Sequence, residues 1–92
     1  MPYRVRVADK AARHLRNLDI QITERIKAKL MWLAENAETV IHHRLSTISF
    51  DDEEVYRLRI GSWRVFYHLS HALKEIQVLR IIHRSEAYKD LS

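Results

Sequence analysis

Tyr56-Arg57-Leu58-Arg59-Ile60-Gly61-Ser62-Trp63-Arg64-Val65-Phe66-Tyr67 is the stretch that decides the fold. Two runs rich in β-branched and aromatic residues flank a Gly-Ser pair, which is the pattern of a β-hairpin, and glycine in the first turn position suits a type II′ turn. With Gly61 and Ser62 as the turn, Ile60 faces Trp63, Arg59 faces Arg64, Leu58 faces Val65, Arg57 faces Phe66 and Tyr56 faces Tyr67. Side chains alternate along a strand, so one face collects Tyr56, Leu58, Ile60, Trp63, Val65 and Tyr67, an apolar surface ready to receive helices. The other face gathers Arg57, Arg59 and Arg64 beside Phe66 and His68. Like charges directly across a ladder destabilise it by some tenths of a kcal/mol. Folding gives little reason to choose them, whereas an anionic ligand supplies one.

Upstream of the hairpin, Tyr3 to Val7 alternates with period two, a short strand ending before Asp9, a good N-cap residue. Ala11, Ala12, Leu15 and Leu18 then recur at helical spacing, and after Asp19 the series Ile22, Ile26, Leu30, Leu33 and Ala37 marks a second amphipathic helix. Its Met31 and Trp32 are expected to pack against the sheet or a partner. Residues 38 to 54 show no clear period, and Asp51 to Glu54 reads as a solvated acidic turn. Downstream, Ile76 to His83 is apolar on both faces apart from Gln77 and Arg80, as expected of a covered strand. The tail from Ser85 adds a helical turn. The order β-α-α-β-β-β describes an α+β domain with two helices packed on one face of a small, mainly antiparallel sheet.

Length agrees with this. Ninety-two residues hold one core, so residues 1–92 form a single domain. One Gly, one Pro, 47% hydrophobic and 30% charged residues exclude a disordered or linker composition. The longest apolar run, Leu30 to Ala34, is far short of the ~20 residues that span a bilayer, and the N-terminus lacks a signal-peptide core. A cytoplasmic protein without membrane association is expected. The absence of cysteine excludes disulfides, thiolate metal sites and cysteine nucleophiles.

The net charge of +4 is unevenly placed. Residues 55–84 hold six basic residues, Arg57, Arg59, Arg64, Lys74, Arg80 and Arg84, against Glu75 alone, which leaves −1 for the rest of the chain. Such a patch is either a solvated face or a polyanion site. Three arginines on one face favour the second, because guanidinium groups hold phosphates bidentately, and an aromatic such as Phe66 can stack on an unpaired base. Of the six histidines, His42 and His43 are adjacent and poorly placed as co-ligands, His68 and His71 lack a third ligand at a recognisable spacing, and His14 reads as a surface side chain. No metal or cofactor is called for. His83, just before Arg84, is a candidate proton carrier. There is no Gly-rich phosphate loop, catalytic triad or carboxylate pair.

The hairpin, together with Ile81-Ile82-His83-Arg84-Ser85-Glu86-Ala87-Tyr88, resembles the RelE branch of the RelE/ParE toxin superfamily. The order of elements matches over nearly the whole chain. The resemblance implies the toxin of a type II toxin-antitoxin system, an endoribonuclease that cuts messenger RNA in the ribosomal A site and is held inactive by a cognate antitoxin. It also implies roles for Arg57 and Arg59, where catalytic relatives often carry lysine, for Arg64 after the turn, and for Arg84 and Tyr88 near the C-terminus. Some relatives carry a further arginine where this chain has Ile82. On this reading the RNA's own 2′-hydroxyl attacks the adjacent phosphate, Arg57 and Arg59 orient the backbone with Phe66, His68 and Arg80, Arg64 and Arg84 stabilise the developing charge, and Tyr88 or His83 moves the proton. The alternative is the ParE branch, a toxin that inhibits DNA gyrase without cutting RNA.

Overall fold

A computed structural model describes residues 2–50 and 53–86, excepting the side chains of 43–50, 53 and 54. Strand β1 (Arg4–Val7) leads into helices α1 (Asp9–Arg16) and α2 (Ile20–Asn36), and four strands follow: β2 (His43–Phe50), β3 (Glu53–Ile60), β4 (Trp63–Ser70) and β5 (Glu75–His83). Among the described residues they form one sheet in the order β1-β5-β4-β3-β2. β1 runs parallel to β5, and the remaining pairs are antiparallel.

The hairpin has the expected register, from Ile60 opposite Trp63 to Tyr56 opposite Tyr67. Gly61 has φ +58° and Ser62 has no positive φ, the combination that a type II′ turn requires. Two elements differ from expectation. β2 is an additional strand within the aperiodic stretch; its register against β3 shifts between Arg44 and Ser49, and that irregularity breaks the two-residue alternation by which a strand is recognised. The acidic run is divided, since Glu53 and Glu54 already belong to β3 while Asp51 and Asp52 lie outside the described residues. In the tail, residues 84–86 form a helical turn and 87–92 lie outside the described residues.

Both helices cover one face of the sheet. Asp19 caps α2 by accepting from the Gln21 N–H at 3.0 Å. At α1 the cap is Ala8, which offers no side-chain bond, and Asp9 is the first helical residue, where its charge complements the helix dipole. Ala11, Ile26 and Leu30 meet Ile60, Val65, Val78 and Ile81 in one cluster; Leu33, Ala34 and Ala37 meet Tyr3, Tyr67 and Ile76 in a second. His14 is not a free surface residue, because its Nδ1–H donates to the Ile81 carbonyl at 2.8 Å and fastens α1 to β5. His42 fastens the end of α2: Nε2–H donates to Ala37 O at 2.8 Å, and Nδ1 accepts the Tyr67 hydroxyl at 2.6 Å. Tyr3 meets His71 Nδ1 at 2.6 Å. Burial first, and then Tyr56, push the Tyr67 phenol well above its ordinary pKa; burial and then the Glu38 carboxylate raise that of Tyr3.

β5 contains a bulge. Phe66 pairs with Arg80 and Tyr67 with Val78, so Leu79 is an extra residue. The bulge reverses the phase of the strand. Ile81 on one side of it and Val78 and Ile76 on the other all reach the helix-covered face, although their spacing would otherwise divide them. Leu79 joins Val55, Phe66 and Ile82 in a small cluster on the opposite face.

Candidate functional site

Arg59 and Arg64 stand directly across from one another on the outer face, followed across the sheet by Ile82; the next row is Arg57, Phe66 and Arg80. His68, opposite Gln77, continues the face. Arg59 is exposed, while Arg57, Arg64, Arg80 and His68 are half-buried. Neither Arg57 nor Arg59 forms an ion pair among the described residues. Arg57 and Arg59 therefore lie at successive positions on the same face without a described carboxylate to neutralise them, and the field they create favours an anion.

The hairpin turn holds part of this set in place. Arg64 Nη1 donates to the carbonyl oxygens of Gly61 and Trp63, at 2.9 and 3.0 Å, which fixes a long side chain that would otherwise be mobile. Arg80 Nη1 is similarly held by Leu79 O at 3.0 Å. The Arg84 N–H donates to Ser62 O at 2.7 Å, which brings the start of the C-terminal turn against the hairpin. Preorganised donors of this kind are suited to a phosphate whose charge grows during reaction.

Two of the expected residues are placed apart from an exposed arginine face. Phe66 is on the outer face but only 2% exposed, because Val55, Ile82 and Leu79 pack around it. It supports the arginine face from beneath, and its ring is not offered to a base. His83 pairs with Trp63, its ring 5.2 Å from the indole and edge-on, on the side of the sheet that the helices cover. By register it is on the face opposite Arg57, Arg59, Arg64 and Arg80. Its Nδ1 also faces the Ser85 hydroxyl at 2.9 Å and accepts the Ser85 N–H at 3.2 Å, so the neutral ring carries its proton on Nε2. Tyr88 lies outside the described residues.

Sequence reasoning missed a contribution from α2. An added Cβ at Gly61 would stand 3.2 Å from Nη2 of Arg25, so that guanidinium lies over the turn that Arg64 grips from its carbonyl side. Nearby, Lys29 Nζ sits 4.3 Å from the Trp32 ring centre. Trp32 and Met31, expected to pack against the sheet or a partner, are 43% and 64% exposed, so the sheet does not bury them, and Trp32 lines a hollow together with Leu58 and Arg59 of β3. Among the described residues no three His, Asp or Glu side chains are grouped to hold a metal ion, and no helix is long and apolar enough to cross a membrane.

The chain belongs to the RelE/ParE toxin superfamily, and its small sheet with two helices on one face has the fold of solved RelE structures. Residues 5–88 match the family model for the ParE toxin of the type II toxin-antitoxin system, parDE. No curated protein sequence matches. Among solved structures, the chain is similar to the archaeal RelE–RelB complex of Pyrococcus horikoshii OT3, with 25% identity, TM-score 0.72, and 91% of this chain and 97% of that chain covered. The toxin-antitoxin complex RelBE2 of Mycobacterium tuberculosis gives 22% identity, TM-score 0.74, and coverage of 92% and 94%. A free-state E. coli RelE mutant with two arginines replaced by alanine gives 20% identity, TM-score 0.69, and coverage of 97% and 90%.

Proposed function

We propose that this toxin is an endoribonuclease that cuts messenger RNA in the ribosomal A site. A 2′-hydroxyl gives up its proton and attacks the adjacent phosphate, the bond from phosphorus to the next nucleotide's 5′-oxygen breaks, and that oxygen takes up a proton, leaving a 2′,3′-cyclic phosphate and a 5′-hydroxyl. The observation that carries the reading is the outer face itself, with Arg57, Arg59, Arg64 and Arg80 in adjacent rows over a buried Phe66. Arg57 and Arg59 hold the RNA backbone, and Arg64 and Arg84 stabilise charge on the phosphorane oxygens. Arginine keeps its proton at neutral pH, so the proton carrier must be another group. Tyr88 takes that role, with His68, on the arginine face, as the alternative base. A positive field lowers a phenol's pKa toward the working range. Tyr88→Phe should lower single-turnover cleavage by about 10²–10⁴ with little change in RNA affinity.

The partner is a cognate antitoxin, as in the P. horikoshii and M. tuberculosis complexes, and the site of action is the cytoplasm, where messenger is translated. Primer extension on a translated template tests the activity, with new RNA ends expected within codons and little cutting of free RNA. The match to the ParE model favours a second reading, in which the toxin inhibits a protein such as gyrase without cutting RNA. Intact transcripts at toxic concentrations, with impaired DNA supercoiling, would establish it.

A further inference from the structure

We infer that the hollow between α2 and the end of β3 is a second RNA subsite, which receives a nucleotide flanking the one on the arginine face: Arg25 and Arg59 take its phosphate and Trp32 stacks on its base. This rests on the proposed action on RNA and adds α2 to the binding surface. Two adjoining hollows, of about 320 and 490 Å³, share Lys29, Trp32 and Arg59 as lining. Arg59 belongs to the arginine face as well, so the two regions are continuous. Arg25 reaches Gly61 from the helix side while Arg64 reaches the same glycine's carbonyl, and a strand leaving the arginine face at the turn would pass from one guanidinium to the next.

Three further features suit a nucleotide. Arg25, Lys29 and Arg59 have no ion pair among the described residues, so their charge is available to a polyanion. Trp32 is exposed, and a tryptophan beside cations is the arrangement that binds single-stranded nucleic acid without reading its sequence. β2 reaches β3 only as far as His43 opposite Arg57, so among the described residues the Arg59 N–H and C=O, which point away from β4, face that edge without a strand partner and can bond to sugar and phosphate.

The test uses tryptophan emission. Trp63→Phe leaves Trp32 as the remaining one of the two tryptophans. That variant is titrated with a 2′-O-methyl RNA hexamer, which keeps phosphates and bases but lacks the nucleophile, and fluorescence anisotropy of the labelled hexamer reports total binding. Saturable quenching of Trp32 is expected. Adding Arg25→Gln should weaken the affinity about tenfold and reduce the salt slope by about 0.7, the share of one phosphate on a single strand. The same charge loss in Lys10→Gln, outside the hollow, should change neither. Anisotropy without quenching would put the RNA on the arginine face alone and overturn the inference while leaving the proposed function standing. Absence of both signals would overturn the inference, while primer extension on a translated template decides the proposed function by itself. Emission that responds to the co-expressed antitoxin but not to RNA would assign the hollow to the protein partner and also end the inference.

Discussion

The two faces of the sheet are built from the same strands under opposite rules. On the helix side, Ile26, Leu33, Val65, Tyr67 and Ile76 are fully buried, and the polar atoms that enter, those of His14, His42 and Tyr67, are hydrogen-bonded. On the outer side a thin layer of Val55, Phe66 and Ile82 lies beneath four arginines, two of them face to face. The first arrangement lowers the energy of the fold. The second sets Arg59 across from Arg64, which costs the ladder some tenths of a kcal/mol. Substitutions on the two faces should therefore separate stability from activity.

Core truncation should give the largest effect. Ile26→Ala removes a fully buried side chain between α2 and the sheet, and loss of about 2–5 kcal/mol is expected in denaturant titration, out of the 5–15 kcal/mol typical of a domain. Activity would fall with the folded population. Arg64→Ala should show the reverse pattern: cleavage reduced by about 10²–10³ for the loss of one preorganised donor, with an unchanged circular dichroism spectrum and melting temperature. Cooperative unfolding of that variant would make Arg64 a structural residue and erase the contrast between the faces.

A smaller effect tests the buried hydroxyls. Tyr67 and Tyr3 ionise at higher pH in the fold than the value near 10 expected in the unfolded chain, so their contribution is complete below about pH 10 and is lost as pH rises through the raised folded values. Tyr67→Phe loses the bond to His42 and should cost about 0.5–1.5 kcal/mol at neutral pH. Its stability should then decline less steeply than the wild type's above pH 10 in chemical denaturation. The smallest effect has the opposite sign. Arg59→Thr relieves the repulsion across the ladder and should stabilise the protein by a few tenths of a kcal/mol while weakening RNA binding. A destabilised Arg59→Thr would mean that the facing arginines are not a cost to folding.

What could be read from the sequence follows from the range of the signals. The hairpin was legible to the residue because a two-residue turn beginning with glycine fixes register locally. α2 was legible from its apolar spacing. β2 was not, since its irregular pairing with β3 hides the alternation. For the candidate site, alternation assigned Arg57, Arg59, Arg64 and His68 to one face, but it could not tell that Phe66 would be covered by Val55 and Ile82. His83 was grouped with Arg84 by adjacency, whereas pairing with Trp63 sets it on the other side. Arg25 gave no signal in advance, because on α2 it is one charge among several, and only the tertiary fold lays it over Gly61.

The bulge at Leu79 makes β5 two half-strands with separate obligations. The half before it, Glu75 to Val78, is the bridge to β1 and must keep Ile76 and Val78 under the helices. The half after it carries Arg80 and Ile82 to the outer face and delivers Arg84 to the hairpin turn. A strand without the extra residue would have to give up one of these, turning either the aliphatic side chains or the arginine to the wrong side. A one-residue deletion there would be felt as an inversion of half the strand, and the tolerance of this toxin for insertions and deletions should be lowest at a position that bears no chemistry of its own.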